Sequence, residues 1–203
     1  MARLGRAPLD SAGPPVQRSR AALPAAAVRL VVERETTDIA VTDITDAADV
    51  SRKLLYLHFT DREGLLAAAA ADLVERELLP RVDESPDELR AQTLLLARHF
   101  AERRVFYRAV LTGSCAFAMA GTLNALFGSL NRTLVRELYP DLDEPTVADL
   151  AAFFTGGASL LLDTWLIDGA DPLRPEDLAD RLLRVAPVLT PTGADTPERD
   201  RLP

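Results

Sequence analysis

Apolar residues recur along this chain at helical spacing. Leu23, Ala26, Ala27, Leu30 and Val31 follow the i, i+3, i+4, i+7, i+8 pattern of one helix face. Leu150, Phe153, Phe154, Gly157, Leu161 and Trp165 repeat it, and Leu178, Leu182, Val185 and Leu189 mark a third stripe. No window alternates β-branched and polar residues as a half-buried strand does, so the pattern predicts an all-α fold. Prolines punctuate it, because a proline inside a helix loses a hydrogen bond and clashes with the preceding turn. The fourteen prolines cluster so as to leave Pro-free blocks over 25–79, 87–139, 146–171 and 176–186. Residues 1–19 and 190–203 hold little to bury, which predicts a disordered basic arm and a disordered tail.

Between 41 and 66 the periodic pieces become short. Val41, Ile44 and Ala48 give a brief helix with one apolar face, Asp49-Val50-Ser51 interrupts it, and Leu55 and Phe59 start a second apolar face. Ser51 suits an N-cap, with Val50 and Leu55 placed to pack across the first turn. Arg52, Lys53, Tyr56 and His58 then project from a short helix whose inner side is sealed, and Lys53 is the only lysine in the protein. Thr60 and Glu63 have capping-box spacing and open a further helix with Arg62 in its first turn, a plausible phosphate clamp. A helix, tight turn and second helix with polar groups at its start is how proteins enter the DNA major groove, flanking polar groups holding phosphates.

Charge narrows this reading. The chain has 23 basic against 31 acidic side chains, a net charge of -8, so bulk attraction to polyanions is not its binding device and any nucleic-acid site must be local. Residues 1–64 carry nine basic and nine acidic groups, leaving the negative charge to residues 65–203. Cys115 is the only cysteine, which excludes an internal disulfide and fits a reducing cytoplasm, and two histidines cannot build a Cys/His metal cluster. No secretory leader pattern is present near the start. Ala109–Asn131 has the length of a membrane span without a charge, but Thr112, Gly113, Ser114, Thr122, Asn124, Ser129 and Asn131 interrupt it, so a helix at the centre of a bundle is expected.

The run Ile44-Thr45-Asp46-Ala47-Ala48-Asp49-Val50-Ser51, followed by Leu55-Tyr56-Leu57-His58-Phe59 and Arg62-Glu63-Gly64-Leu65-Leu66, closely resembles the N-terminal domain of TetR-family transcriptional regulators. Arg20–Val32 looks like that family's first helix. The resemblance implies a three-helix helix-turn-helix domain over 20–66, and a helical bundle over 67–189 for dimerisation and ligand binding. Ser51, Arg52, Lys53, Leu54, Tyr56, His58 and Arg62 would contact DNA. Three positions depart from the family pattern. Asp49 replaces the usual glycine of the turn, Leu54 replaces a small polar residue and could offer an apolar contact to a thymine methyl, and Pro24 requires the first helix to start near it.

The resemblance further implies a homodimer reading two half-sites of a palindromic, double-stranded operator, since one short helix contacts too few bases to be selective. The last two helices of such proteins pair with their mates, which assigns Phe153, Phe154, Gly157, Leu160, Leu161, Leu178 and Leu182 to the dimer interface. A small apolar effector would sit among Phe100, Tyr107, Cys115, Phe117, Met119, Phe127 and Trp165. The plainer alternative for both sets is internal core. Arg18 and Arg20 could add backbone or minor-groove contacts. No cofactor is implied, and no nucleophile has a neighbouring base, so an enzyme is not expected. His99 reads as a surface or satisfied core histidine, Cys115 as a small buried hydrophobe, and the carboxylates near 83–88 and 141–144 as solvated loops. The competing function is a dimerisation or interaction protein with degraded DNA contacts.

Overall fold

The computed structural model describes residues 14–85 and 88–189, with 14–20 and 186–189 as backbone alone. Every regular element among the described residues is helical, with no strand among them. Helix α1 (Pro14–Arg34) buries Leu23, Ala26, Ala27, Leu30 and Val31 along one face. It begins ten residues before Pro24, so Pro24 lies inside the helix and not near its start. Pro14 and Pro15 occupy the first turn, where amide protons have no intrahelical acceptor to lose. Residues 14–19 of the expected basic arm are therefore helical. Residues 1–13 and the 190–203 tail lie outside the described residues, as do the side chains of Arg18 and Arg20.

Helices α2 (Val41–Ala47) and α3 (Arg52–His58) are joined by a Schellman turn. The Val50 amide donates to the Thr45 carbonyl at 3.0 Å and the Asp49 amide to the Asp46 carbonyl at 3.2 Å. This closure forces Asp49 to φ 53°, the left-handed region that glycine enters freely and other residues enter at a cost. Asp49→Gly is therefore expected to stabilise the fold by about 0.5–1 kcal/mol and to remove an exposed carboxylate beside α3. A higher urea midpoint with tighter DNA binding checks both effects.

Helix α4 (Arg62–Leu73) is capped by Asp61, whose carboxylate accepts from the Gly64 amide at 2.7 Å. The expected Thr60–Glu63 box is thus displaced by one residue, because an ionised acceptor at the positive end of a helix outcompetes a hydroxyl. The helix continues through a π-helical turn (Val74–Leu78) into α5 (Leu79–Asp83). There the Leu79 amide donates five residues back, to the Val74 carbonyl. Pro80 explains the widening: it has no amide to offer the Arg76 carbonyl, and its ring pushes that carbonyl aside. The boundary expected after Leu66 falls inside α4, which packs on α1 and on α8 (Ala116–Leu138). One hydrophobic cluster runs from Leu23 through Leu65, Phe100 and Trp165 to Leu178.

The remaining helices are α6 (Leu89–Glu102), α7 (Arg104–Thr112), α9 (Glu144–Asp168) and α10 (Pro175–Leu189). The uncharged Ala109–Asn131 stretch is bent by 119° between α7 and α8, so it is not one straight span. Helix α9 does have the length and apolarity of a membrane span, yet only 22% of its most apolar stretch is buried in the chain. It pairs with α8 in antiparallel fashion: Ser159 donates to Asn124 Oδ1 at 2.8 Å and Asn131 to Thr155 Oγ1 at 2.8 Å. Its C-terminal carbonyls are held by the mostly buried Arg104, which donates to Leu166 O at 3.1 Å and Gly169 O at 2.7 Å.

Candidate nucleic-acid interface

Helix α3 is held from behind and bare in front. Ser51 caps it, its hydroxyl accepting from the Leu54 amide at 3.3 Å, and Leu55 is fully buried against the helices behind. The elements that present α3 are tied together by Arg29, which donates to Ala47 O at 3.1 Å, and by the Arg34–Asp43 ion pair at 2.5 Å. Arg52, Lys53 and Tyr56 are exposed, and no described residue pairs with any of them. Leu57 is 71% exposed. A residue two positions from Leu55 is turned about 200° away from it, so Leu57 and Lys53 point most directly outward. That angle is legible in the sequence, although the family resemblance points to Leu54 instead. Leu54 is half-buried, and Leu57 is the exposed apolar side chain of this face.

Two of the expected DNA-contacting residues are engaged or enclosed within the chain. Arg62 is half-buried and engaged, donating to Asp38 Oδ1 at 2.9 Å and to Ile39 O at 3.4 Å. It ties the start of α4 to the α1–α2 loop through a charge-assisted hydrogen bond. His58 is half-buried, its ring edge-on to Phe59 at 6.4 Å. Its Nε2 is closed off from solvent with no partner, so that nitrogen makes no outward contact from this position. The exposed set is thus Ser51, Arg52, Lys53, Tyr56 and Leu57, a cationic spot at a helix start on an otherwise acidic protein.

Deeper in the chain, Phe100, Tyr107, Cys115, Met119 and Trp165 are buried, and Phe127 packs beside them. Phe100 lies 4.6 Å from Tyr107 and 6.5 Å from Phe127 between ring centres. Phe117 does not join them: it is 92% exposed, because the bend between α7 and α8 turns it away from the cluster. Tyr107 Oη and His99 Nε2 share a hydrogen bond at 2.9 Å, and His99 Nδ1 is 3.9 Å from Glu77 Oε2. Glu77 is in turn gripped in a fork by Arg103, at 2.7 and 3.0 Å. Burial, helped by Arg103, lowers the His99 pKa to about 4, so the imidazole is neutral; burial pushes the Tyr107 hydroxyl up. Burial likewise pushes the Cys115 thiol up, which makes it unreactive.

The α1–α2 loop docks on the corner between α7 and α8. Thr37 is buried there against Gly113, where an added Cβ would stand 2.2 Å from Thr37 Oγ1 and 2.9 Å from Ala109 O. This joint connects the part bearing α3 to the rest. Of the expected dimer residues, Phe153, Gly157 and Leu160 face outward on α9. Phe154 packs on Val135, Val147 and Ala151, while Leu161 and Leu182 lean on the main core. Leu178 is corrected: it is fully buried, since α10 lays its apolar stripe on α6. An open groove of about 530 Å³ lies between α8 and α9, lined by small and polar groups including Ala125, Gly128, Arg132, Arg136 and Gly156. None of the expected effector residues lines it.

Residues 23–69 match the family described as bacterial regulatory proteins, tetR family. The whole fold is similar to a protein from Rhodococcus sp. described as a TetR-family transcriptional regulator, with TM-score 0.59 and 22% identity over 86% of this chain and 99% of that one. It is also similar to the dihydroxyacetone kinase operon activator DhaS, with TM-score 0.53 and 18% identity over 84% and 95% of the two chains. A transcriptional regulator from Pseudomonas aeruginosa PAO1 gives TM-score 0.50 and 24% identity over 88% and 93%. No curated protein matches the sequence significantly. Residues 23–69 are thus similar to the tetR family of bacterial regulatory proteins, and over most of its length the chain shares the fold of these solved structures.

Proposed function

We propose that this regulator binds a palindromic operator as a homodimer, represses transcription there, and is released by a small apolar effector. The observation that carries the reading is the bare front of α3: Arg52, Lys53 and Tyr56 are exposed, with no partner among the described residues, on a helix whose cap and inner face are engaged. Unpaired cations at a helix start are ready for phosphates and base edges. Helices α1–α3 form the reading head and α6–α10 the regulatory part, with α4 shared between them. The effector's place is the Phe100, Tyr107, Met119, Phe127 and Trp165 cluster, which abuts α4 and offers mainly apolar contacts. Prising that cluster open would move α4 and, through the Thr37–Gly113 joint, the reading head. Such a protein works in the cytoplasm, where its operator is.

Selection of bound sequences from a random duplex library tests this reading. Enrichment of one inverted repeat with half-sites about 34–36 Å apart, or a multiple of that, is the expected result. Failure to enrich any sequence would favour an interaction protein on the same fold.

A further inference from the structure

A groove of about 360 Å³ lies where the end of α1 meets α7 and the α9–α10 loop. One wall is α7, whose Val105, Arg108 and Ala109 share a helix face at i, i+3, i+4. Glu35, the first residue past α1, forms the second wall, and Asp171 of the α9–α10 loop the third. No residue of the buried aromatic cluster lines it.

Four charged side chains surround this groove, and two of them are spent on each other and on the backbone. Arg104 holds the carbonyls of Leu166, Gly169 and Ala170 and pairs with Asp171 at 3.3 Å. Glu35 and Arg108, of opposite sign, are exposed and have no partner among the described residues. Glu35 is held at φ 50°, the left-handed region that glycine enters freely and glutamate enters at a cost. A glycine there would relieve the strain; the glutamate instead puts a carboxylate on the groove wall. Val105, 44% exposed, adds an apolar surface on the same helix face as Arg108.

We infer that this groove binds a small zwitterion with one carboxylate and one ammonium group, the chemistry of a free α-amino acid. Arg108 takes the carboxylate through paired N–H donors, Glu35 accepts from the ammonium group, and Val105 and Ala109 cover an apolar side chain. The four charges sum to zero, so a ligand carrying both signs is favoured. A simple anion is repelled by Glu35 and Asp171, and a simple cation by Arg108. The bound ligand ties the end of α1 to α7 beside the Thr37–Gly113 joint and so steadies the α1–α2 loop. The site is separate from the apolar effector's proposed place and does not depend on it.

Scanning calorimetry of the full chain, with each of the protein amino acids at about 10 mM, tests the inference. At least one is expected to raise Tm by about 3 °C, the shift for a ligand near ten times its Kd. The amide of that amino acid, which lacks the carboxylate, and its deaminated acid, which lacks the ammonium group, should each give less than about a third of the shift. Arg108→Ala and Glu35→Gln alter exposed, unpartnered side chains and so keep the fold, yet each should abolish the response. Glu35→Gly should melt above wild type and still fail to respond, which separates the strain from the binding. Hydrogen exchange of the 35–39 amides should slow several-fold when the ligand is present. A shift that survives both Arg108→Ala and Glu35→Gln would overturn the site. A shift given equally by the deaminated acid, and lost only with Arg108, would overturn the zwitterion in favour of an anion. No shift from any amino acid would overturn the inference altogether.

Discussion

Gly113→Ala is expected to destabilise the protein by about 2–3 kcal/mol, a substantial part of the 5–15 kcal/mol that typically holds a domain together. The methyl would stand 2.2 Å from Thr37 Oγ1 and 2.9 Å from the Ala109 carbonyl. The backbone at Gly113, with φ -96° and ψ -175°, is open to alanine, so the cost is steric and not conformational. Thr37 cannot swing away cheaply, because it is buried at the joint between the α1–α2 loop and the α7–α8 corner. The Ala109 carbonyl belongs to α7 and moves only with the helix. Thr37→Ala in the same chain removes the nearer clash, so the double variant should regain about half of the loss. Urea unfolding of the two variants checks this. Equal stability of Gly113→Ala and wild type would mean that the joint is not packed as described.

Acid is expected to weaken the fold through His99. Its folded pKa is about 4 against the 6.5 ordinary for a histidine, so below pH 6.5 the unfolded chain takes up a proton that the folded chain refuses. Stability therefore falls as pH drops from about 6.5 toward 4, by about 2 kcal/mol on reaching pH 5. The physical source is a neutral imidazole sealed among Phe100, Tyr107 and the Glu77–Arg103 fork, where a charged ring would be desolvated. His99→Gln retains a group able to bond the Tyr107 hydroxyl but does not titrate. Its urea midpoint should fall less than that of wild type between pH 7.5 and 5. Parallel curves for the two proteins would contradict a buried neutral His99. Glu77 lies in the π turn that continues α4 into α5.

The reading head is legible in the sequence because its signals are local. Ser51, Leu55 and the outward Lys53 follow from capping and from one helical angle, and Asp49 takes the left-handed turn position that its replacement of glycine anticipates. Arg62 is not legible for the opposite reason: its partner Asp38 lies 24 residues away, and no periodicity announces an ion pair across that distance. Leu178 and Leu160 carry the same helical period, yet one is fully buried and the other exposed. A hydrophobic stripe says that a face will be covered, without saying whether the cover is the same chain or another. Phe117 shows the further limit, since its direction depends on the bend at 113–115 and not on the apolar run containing it.

Fluorescence anisotropy on the operator recovered by selection, at two salt concentrations, tests the central claim most directly. The account predicts salt-sensitive, sequence-preferring binding by wild type. It predicts at least about a tenfold loss for Lys53→Ala and for Tyr56→Ala, because each dimer loses the contact at both half-sites. Binding that is no tighter than to random DNA, or that neither substitution weakens, would contradict a DNA-reading role for α3.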